Sequence, residues 1–170
     1  TLNTSQEEIA VCNLGSVNLT HHLKDGAIDE DKLERTINTA IRMLDNVIDI
    51  NYYAVKAAET SNMKHRPIGL GIMGFHDALY MIGTPYASQE AVEFADKSME
   101  MVSYYAIKAS SDLAAERGSY SSFEGSLWSQ GILPLDSIKL LKESRGDDYL
   151  EQDESSTMDW DTLRETVKTQ

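Results

Sequence analysis

The stretch Glu8-Ile9-Ala10-Val11-Cys12-Asn13-Leu14-Gly15-Ser16-Val17-Asn18-Leu19 decides the reading of this chain, because it sets the single cysteine inside the most strand-like run of the sequence. Ile9, Val11, Val17 and Leu19 are large and mostly β-branched, and they alternate with smaller or polar residues. That pattern predicts a half-buried strand with a break near Gly15. Cys12 then points to the face opposite Val11. A thiol so placed, beside an asparagine whose amide both donates and accepts, has two readings. It is either a small buried hydrophobe, the commoner role of a lone intracellular cysteine, or a redox or nucleophilic group. Everything after this stretch reads as scaffold.

With 170 residues and 41% hydrophobic content, the chain carries enough apolar side chains for one core and too few residues for a second domain to be expected. No apolar run approaches the roughly 20 residues that span a bilayer. The polar start Thr1-Leu2-Asn3-Thr4-Ser5-Gln6 lacks the regions of a signal peptide. We therefore expect a cytoplasmic protein. The chain does not begin with methionine, which suggests a piece of something longer. Its 15 basic and 28 acidic residues give a formal charge of −13, which disfavours nucleic acid and anionic membranes as partners. Much of that charge falls in an acidic loop over about 143–157, where Asp147, Asp148, Glu151, Asp153 and Glu154 crowd around few apolar residues. This composition fits a solvated loop better than a metal site. A single cysteine rules out an internal disulfide and a cysteine-only zinc site, and the His21-His22 pair, His65 and His76 have no metal-ligand spacing with it.

Downstream, Asp25-Gly26 marks a turn, and a helix opens near Asp29 with acids in its first turn. Leu33, Ile37, Ile41, Leu44 and Ile48 define its core face, and it runs to about Asn51. Tyr52 and Tyr53 end it as packing residues, and a second segment covers Ala54 to Ser61. Gly69, Gly71 and Gly74 form a literal G-x-G-x-x-G, but Lys64-His65-Arg66-Pro67 precedes it where a dinucleotide-binding fingerprint needs a buried strand. Ile68, Leu70 and Ile72 are instead expected to form a short strand whose glycines allow close backbone approach, leading into a helix from Gly74 to Ile82. Arg66 either holds an anion or pairs with an acid, and the second is expected. Ser88 caps the longest helix, with Val92, Ala95, Met99, Val102, Ala106, Ala109 and Leu113 on its stripe and Gly118 at its end. Ser119 to Gly131 reads as a loop anchored by Phe123 and Trp128. A short helix follows around Asp136 to Lys142. Asp159 caps a last helix, Trp160 to Lys168, with Trp160, Leu163 and Val167 on one face.

Four segments, Ala10 to Leu19, Ile50-Asn51-Tyr52-Tyr53, His65-Arg66-Pro67-Ile68-Gly69-Leu70-Gly71 and Gly131-Ile132-Leu133-Pro134, together resemble the catalytic large subunit of class I ribonucleoside-diphosphate reductases. Order and spacing match along nearly the whole chain. The resemblance implies an α/β, helix-rich fold, a slice of the family's ten-stranded α/β barrel, with residues 1–170 forming a single partial domain. In that family a finger-loop cysteine becomes a thiyl radical, and the cysteine of the C-N-L-x-S motif is one of two that reduce the ribose, closing to a disulfide. By position that role falls on Cys12, whose disulfide partner would lie outside this chain.

The departures from the family pattern carry equal weight. The Asn-x-Cys-x-Glu triad expected before Thr1, the Arg-Asn-Ser and Pro-Thr segments expected after Gln170, the partner cysteine, the effector loops and the shuttle cysteines are all absent from these residues. The resemblance therefore implies a chain inactive alone, with no cofactor or metal site of its own. The whole enzyme would need a small-subunit radical cofactor, nucleotide effectors and thioredoxin or glutaredoxin. Expected partners are the remaining segments of the large subunit, the radical-generating small subunit and the ribonucleoside diphosphate substrate. A split or intein-interrupted gene is the expected origin, and a truncated or incomplete gene would leave the same residues. Two other readings compete: a noncatalytic acidic α-helical interaction domain on the same scaffold, and a dinucleotide-binding oxidoreductase using Gly69 to Gly74.

Overall fold

A computed structural model describes residues 4–146, 150 and 152–170. In chain order it contains β1 (Asn13–Asn18), a 3₁₀ turn (Leu19–His22), β2 (Leu23–Lys24), β3 (Ala27–Ile28), α1 (Glu30–Ile50) and α2 (Lys56–His65). There follow β4 (Ile68–Met73), α3 (Phe75–Ile82), α4 (Gln89–Arg117), a second 3₁₀ turn (Pro134–Asp136), α5 (Ser137–Arg145) and α6 (Trp160–Thr169). β1 and β4 pair in parallel, with Asn13 opposite Ile68 and Asn18 opposite Met73. β2 and β3 form a small antiparallel hairpin around Asp25-Gly26, the turn expected from that pair.

The strand around the cysteine is shorter than the sequence suggests. It begins at Asn13, so Cys12 immediately precedes it, and Gly15 lies inside the ladder opposite Leu70 rather than at a break. Residues before Asn13 lie along α2 instead of a strand: the Ile9 amide donates to the Ala57 carbonyl at 3.2 Å.

α1 follows its apolar spacing. Asp29 caps it by accepting from the Lys32 amide at 3.1 Å, Glu30 and Asp31 occupy the first turn, and Leu33, Ile37, Ile41, Leu44 and Ile48 are buried. α2 starts two residues later than expected and runs on to His65. Of the two tyrosines between the helices, only Tyr53 packs: its hydroxyl donates to the Ile48 carbonyl and accepts from the buried Asn62 amide, both at 2.7 Å. Tyr52 is 88% exposed.

α4 begins at the Ser88 cap and ends at Gly118, but its buried stripe is rotated in the first half. Ala91, Ser98, Val102, Tyr105, Ala109 and Leu113 are buried, whereas Val92 and Met99 are exposed. The rotation is hidden in the sequence because Ala91 and Ser98 are small and Ser98 and Tyr105 carry hydroxyls. Ser98 satisfies its own by donating to the Ala95 carbonyl at 3.1 Å, and the Tyr105 hydroxyl donates to Glu30 at 2.5 Å.

Val17, Leu33, Ile37, Ile41, Val102, Tyr105, Ala109 and Leu113 form the main core, with Ile68, Leu70 and Ile72 of β4 packed against it. A second cluster, Leu133, Trp160, Leu163 and Val167, takes in Trp128 as the loop anchor expected of it. Arg164 holds this cluster to the second 3₁₀ turn through both Asp136 carboxylate oxygens, at 2.6 and 3.0 Å. Glu100 of α4 receives the chain entering α6, accepting from the Thr157 amide and hydroxyl, the Met158 amide and the Trp160 indole at 2.7–3.1 Å. Burial pushes the Glu100 carboxyl up, but these four donors outweigh it and leave the group below the usual carboxylate range. Within the acidic loop, Glu143 belongs to α5, and Asp153 and Glu154 are exposed. Asp147, Asp148 and Glu151 lie outside the described residues.

Arg66 ends α2 in the left-handed conformation (φ 45°, ψ 50°) and pairs with acids, as expected of it. Its Nε meets Asp45 at 2.8 Å and its Nη atoms meet both oxygens of Asp49 at 2.8 and 3.0 Å. Arg66→Ala and Arg66→Gly lose the same ion pairs, but only glycine relieves the left-handed backbone. Urea unfolding should show Arg66→Gly more stable than Arg66→Ala by about 1 kcal/mol; equal stabilities would mean that the conformation carries no strain.

Candidate functional site

Side chains alternate across the β1–β4 pair, and the two faces differ. Val17, Ile68, Leu70 and Ile72 face the core, and Asn13 reaches α1, donating from Nδ2 to the Leu44 carbonyl at 3.3 Å. The opposite face carries Leu14 and Ser16 of β1 and Gly69 and Gly71 of β4. Leu14 is 77% exposed, so among the described residues nothing covers this face.

Cys12 belongs to the same side. A Cβ placed on Gly69 would stand 2.6 Å from Leu14 Cδ2 and 3.6 Å from Cys12 Sγ, and one on Gly71 would stand 3.6 Å from Ser16 Oγ. The glycines thus form a bare floor on which the thiol, Leu14 and Ser16 sit. Cys12 is half-buried, and its thiol donates to the Asn13 carbonyl at 3.5 Å. Burial pushes its pKa above the ordinary thiol value. At neutral pH the sulfur therefore keeps its proton, which makes it a hydrogen donor and a poor nucleophile.

The histidines lie elsewhere. His22 is buried, with Nδ1 2.8 Å from the Asn18 carbonyl and Nε2 2.9 Å from Thr36 Oγ1, and His76 stacks with Tyr80. Among the described residues no three or more His, Cys, Asp or Glu side chains gather where a metal ion could be held. No helix among them is long and apolar enough to cross a membrane.

The glycine motif does not build a phosphate cradle. Gly69 and Gly71 lie within the β4 ladder opposite Leu14 and Ser16, and only Gly74 separates strand from helix. Gly74 has φ 73°, and a Cβ there would meet Asn18 Oδ1 at 2.5 Å. The motif serves close strand packing and a one-residue turn, which removes the basis of the dinucleotide reading.

One constellation escaped the sequence reading altogether. Glu8 accepts from Lys64 Nζ through one oxygen and from His65 Nε2 through the other, each at 2.6 Å, while His65 Nδ1 lies 2.7 Å from Ser122 Oγ. Hydrogen bonds from Lys64 and then His65 hold the Glu8 carboxyl below the usual carboxylate range. Its members come from three distant segments, so no spacing in the sequence announces them.

The family model of the ribonucleotide reductase barrel domain matches residues 1–170. The chain belongs to that family. Over 167 residues it is 58% identical to the ribonucleoside-diphosphate reductase subunit alpha of Chlamydia muridarum, a match covering 98% of this chain and 16% of that protein. It is 42% identical over 133 residues to the large chain of Schizosaccharomyces pombe, covering 78% of this chain and 16% of the relative. The Trypanosoma brucei brucei large subunit is 38% identical over 165 residues, covering 96% and 20%. The chain thus spans 16–20% of the length of these curated relatives. The α/β slice of a reductase barrel expected from the sequence is borne out.

The bare floor at Gly69 generates a test. Gly69→Ala should cost no more than about 1 kcal/mol, because the Leu14 side chain it meets is exposed and free to rotate. It should nevertheless slow alkylation of Cys12 by a bulky maleimide more than by iodoacetamide. Unchanged rates with both reagents would mean that the floor does not govern access to the thiol.

Proposed function

We propose that this chain supplies one of two reducing thiols, Cys12, to a ribonucleoside-diphosphate reductase that makes deoxyribonucleoside diphosphates for DNA synthesis. The observation that carries the reading is a half-buried thiol beside the open, glycine-floored face of a strand pair, in a chain of the reductase barrel family. The relatives are named as alpha or large subunits of that enzyme. Two thiols together give up two protons and two electrons. A ribose hydroxyl leaves as water, a hydrogen takes its place on carbon, and the two sulfurs join.

Cys12 supplies one sulfur, and the other lies outside this chain. The radical that opens the reaction comes from a small subunit with its own radical cofactor, gripping of the substrate phosphates falls to other segments of the large subunit, and thioredoxin or glutaredoxin restores the thiols. Nucleotide effectors, ATP among them, act on the whole enzyme. The chain is one partial domain, inactive alone, with no cofactor or metal of its own; it works in the cytoplasm, away from nucleic acid and membranes.

Cys12→Ser in the complete enzyme tests the reading. Deoxynucleotide formation should be lost even with a small dithiol supplied, because serine forms no disulfide and an external thiol cannot replace a sulfur that must sit beside the substrate. A merely structural cysteine would lose only about 1–3 kcal/mol of stability on gaining a buried hydroxyl. Normal turnover by a folded variant would leave the chain a noncatalytic scaffold.

A further inference from the structure

The segment carrying Cys12 is pinned at both ends to one short strip of chain. At its far end, Asn13 opens the parallel ladder opposite Ile68. At its near end, Glu8 binds Lys64 Nζ and His65 Nε2, each at 2.6 Å. The strip from Lys64 to Ile68 thus receives both ends of Glu8 to Asn13, and the cysteine lies between the two anchors. The near anchor is itself held in place. A carboxylate only accepts, so His65 Nε2 carries a hydrogen, and Nδ1 is turned to Ser122 Oγ at 2.7 Å in the loop after α4. Ser122 Oγ also lies 3.3 Å from the Lys64 carbonyl. Glu8 is therefore tied through two side chains to α2 and through His65 to the α4 loop.

We propose that Glu8 is a positioning residue for the Cys12 thiol: its clasp on Lys64 and His65 fixes where the sulfur stands on the open face of the β1–β4 pair. The inference rests on the redox reading of Cys12 and names the group that holds this sulfur in register with a substrate. Without Glu8 the ladder still holds Asn13 and the Ile9 amide still donates to the Ala57 carbonyl at 3.2 Å, but the residues before Asn13 have lost their charged tether. Cys12 then stands in a segment held to α2 by a single backbone bond, with more freedom to move. A displacement of about 1 Å costs on the order of a hundredfold where two reacting groups must meet.

The complete reductase, with this segment in its full large subunit, serves for the test. Glu8→Ala should lower kcat about tenfold to a hundredfold while KM for the ribonucleoside diphosphate stays unchanged, and should speed alkylation of Cys12 by iodoacetamide. Glu8→Gln keeps one accepting oxygen and should recover part of both effects. Unchanged kcat and alkylation in Glu8→Ala would overturn the proposal. So would a fall in kcat matched by an equal loss of folded protein, with alkylation of the folded fraction unaltered. Where Glu8→Ala does not fold, Lys64→Met removes one partner from a half-exposed position and should move both readouts in the same direction; no movement would again overturn it. Failure of the redox reading shows separately, as turnover by Cys12→Ser, and leaves the alkylation result to decide whether Glu8 holds the thiol.

Discussion

Two parallel strands cannot be joined by a tight turn, so the pairing of Asn13–Asn18 with Ile68–Met73 requires a long crossover, and α1 with α2 is that crossover. The rest of the described structure depends on this constraint. Once α1 returns across one face of the strands, Leu33, Ile37 and Ile41 share a core with Val17, and α4 lies along α1. One face of the strand pair is then spent on the core. The other keeps Leu14 and Ser16 with the two strand glycines, and it is beside this face that the thiol stands.

The crossover places charge against its helix. Asp45 and Asp49 lie in the last turns of α1, where the macrodipole disfavours acids, and no basic residue of α1 occupies its last turn. Guanidinium groups from outside make up the deficit. Arg66 takes Asp49 and one oxygen of Asp45, and Arg117 at the end of α4 takes the other at 2.6 Å. The hydrogen bonds from Arg66 hold the Asp49 carboxyl below the usual range. Arg66 reaches both acids from a left-handed backbone, so the turn between α2 and β4 and the end of α1 are set by the same side chain.

Much of this was legible in the sequence, for definable reasons. α1 and α6 carry an apolar residue every three or four positions on one face, which burial then confirms. Asp29, Ser88 and Asp159 all cap as their positions suggest. α4 resisted because Ser98 and Tyr105 are buried with their hydroxyls satisfied, which apolar spacing does not register. The start of β1 was misplaced because Ile9 and Val11 alternate like a strand although Ile9 bonds to α2. The Glu8 clasp was beyond reach of any pattern: its partners lie 56, 57 and, through His65, a further 57 residues away.

The chemistry of Cys12 follows from the same pairing that makes the fold. Gly69 of β4 lies beside the thiol, where a Cβ would come into contact with the sulfur at 3.6 Å, and partial burial keeps the proton on the thiol. An exposed cysteine on a mobile loop would ionise more readily and attack disulfides and electrophiles indiscriminately. Here the sulfur is half-buried, beside Gly69 of β4. The open face thus presents a thiol that keeps its hydrogen, on a segment tied at Glu8 and Asn13. Bare backbone from β4, a high thiol pKa and two anchors are thus parts of one arrangement, and a larger side chain at Gly69 would disturb the first two together.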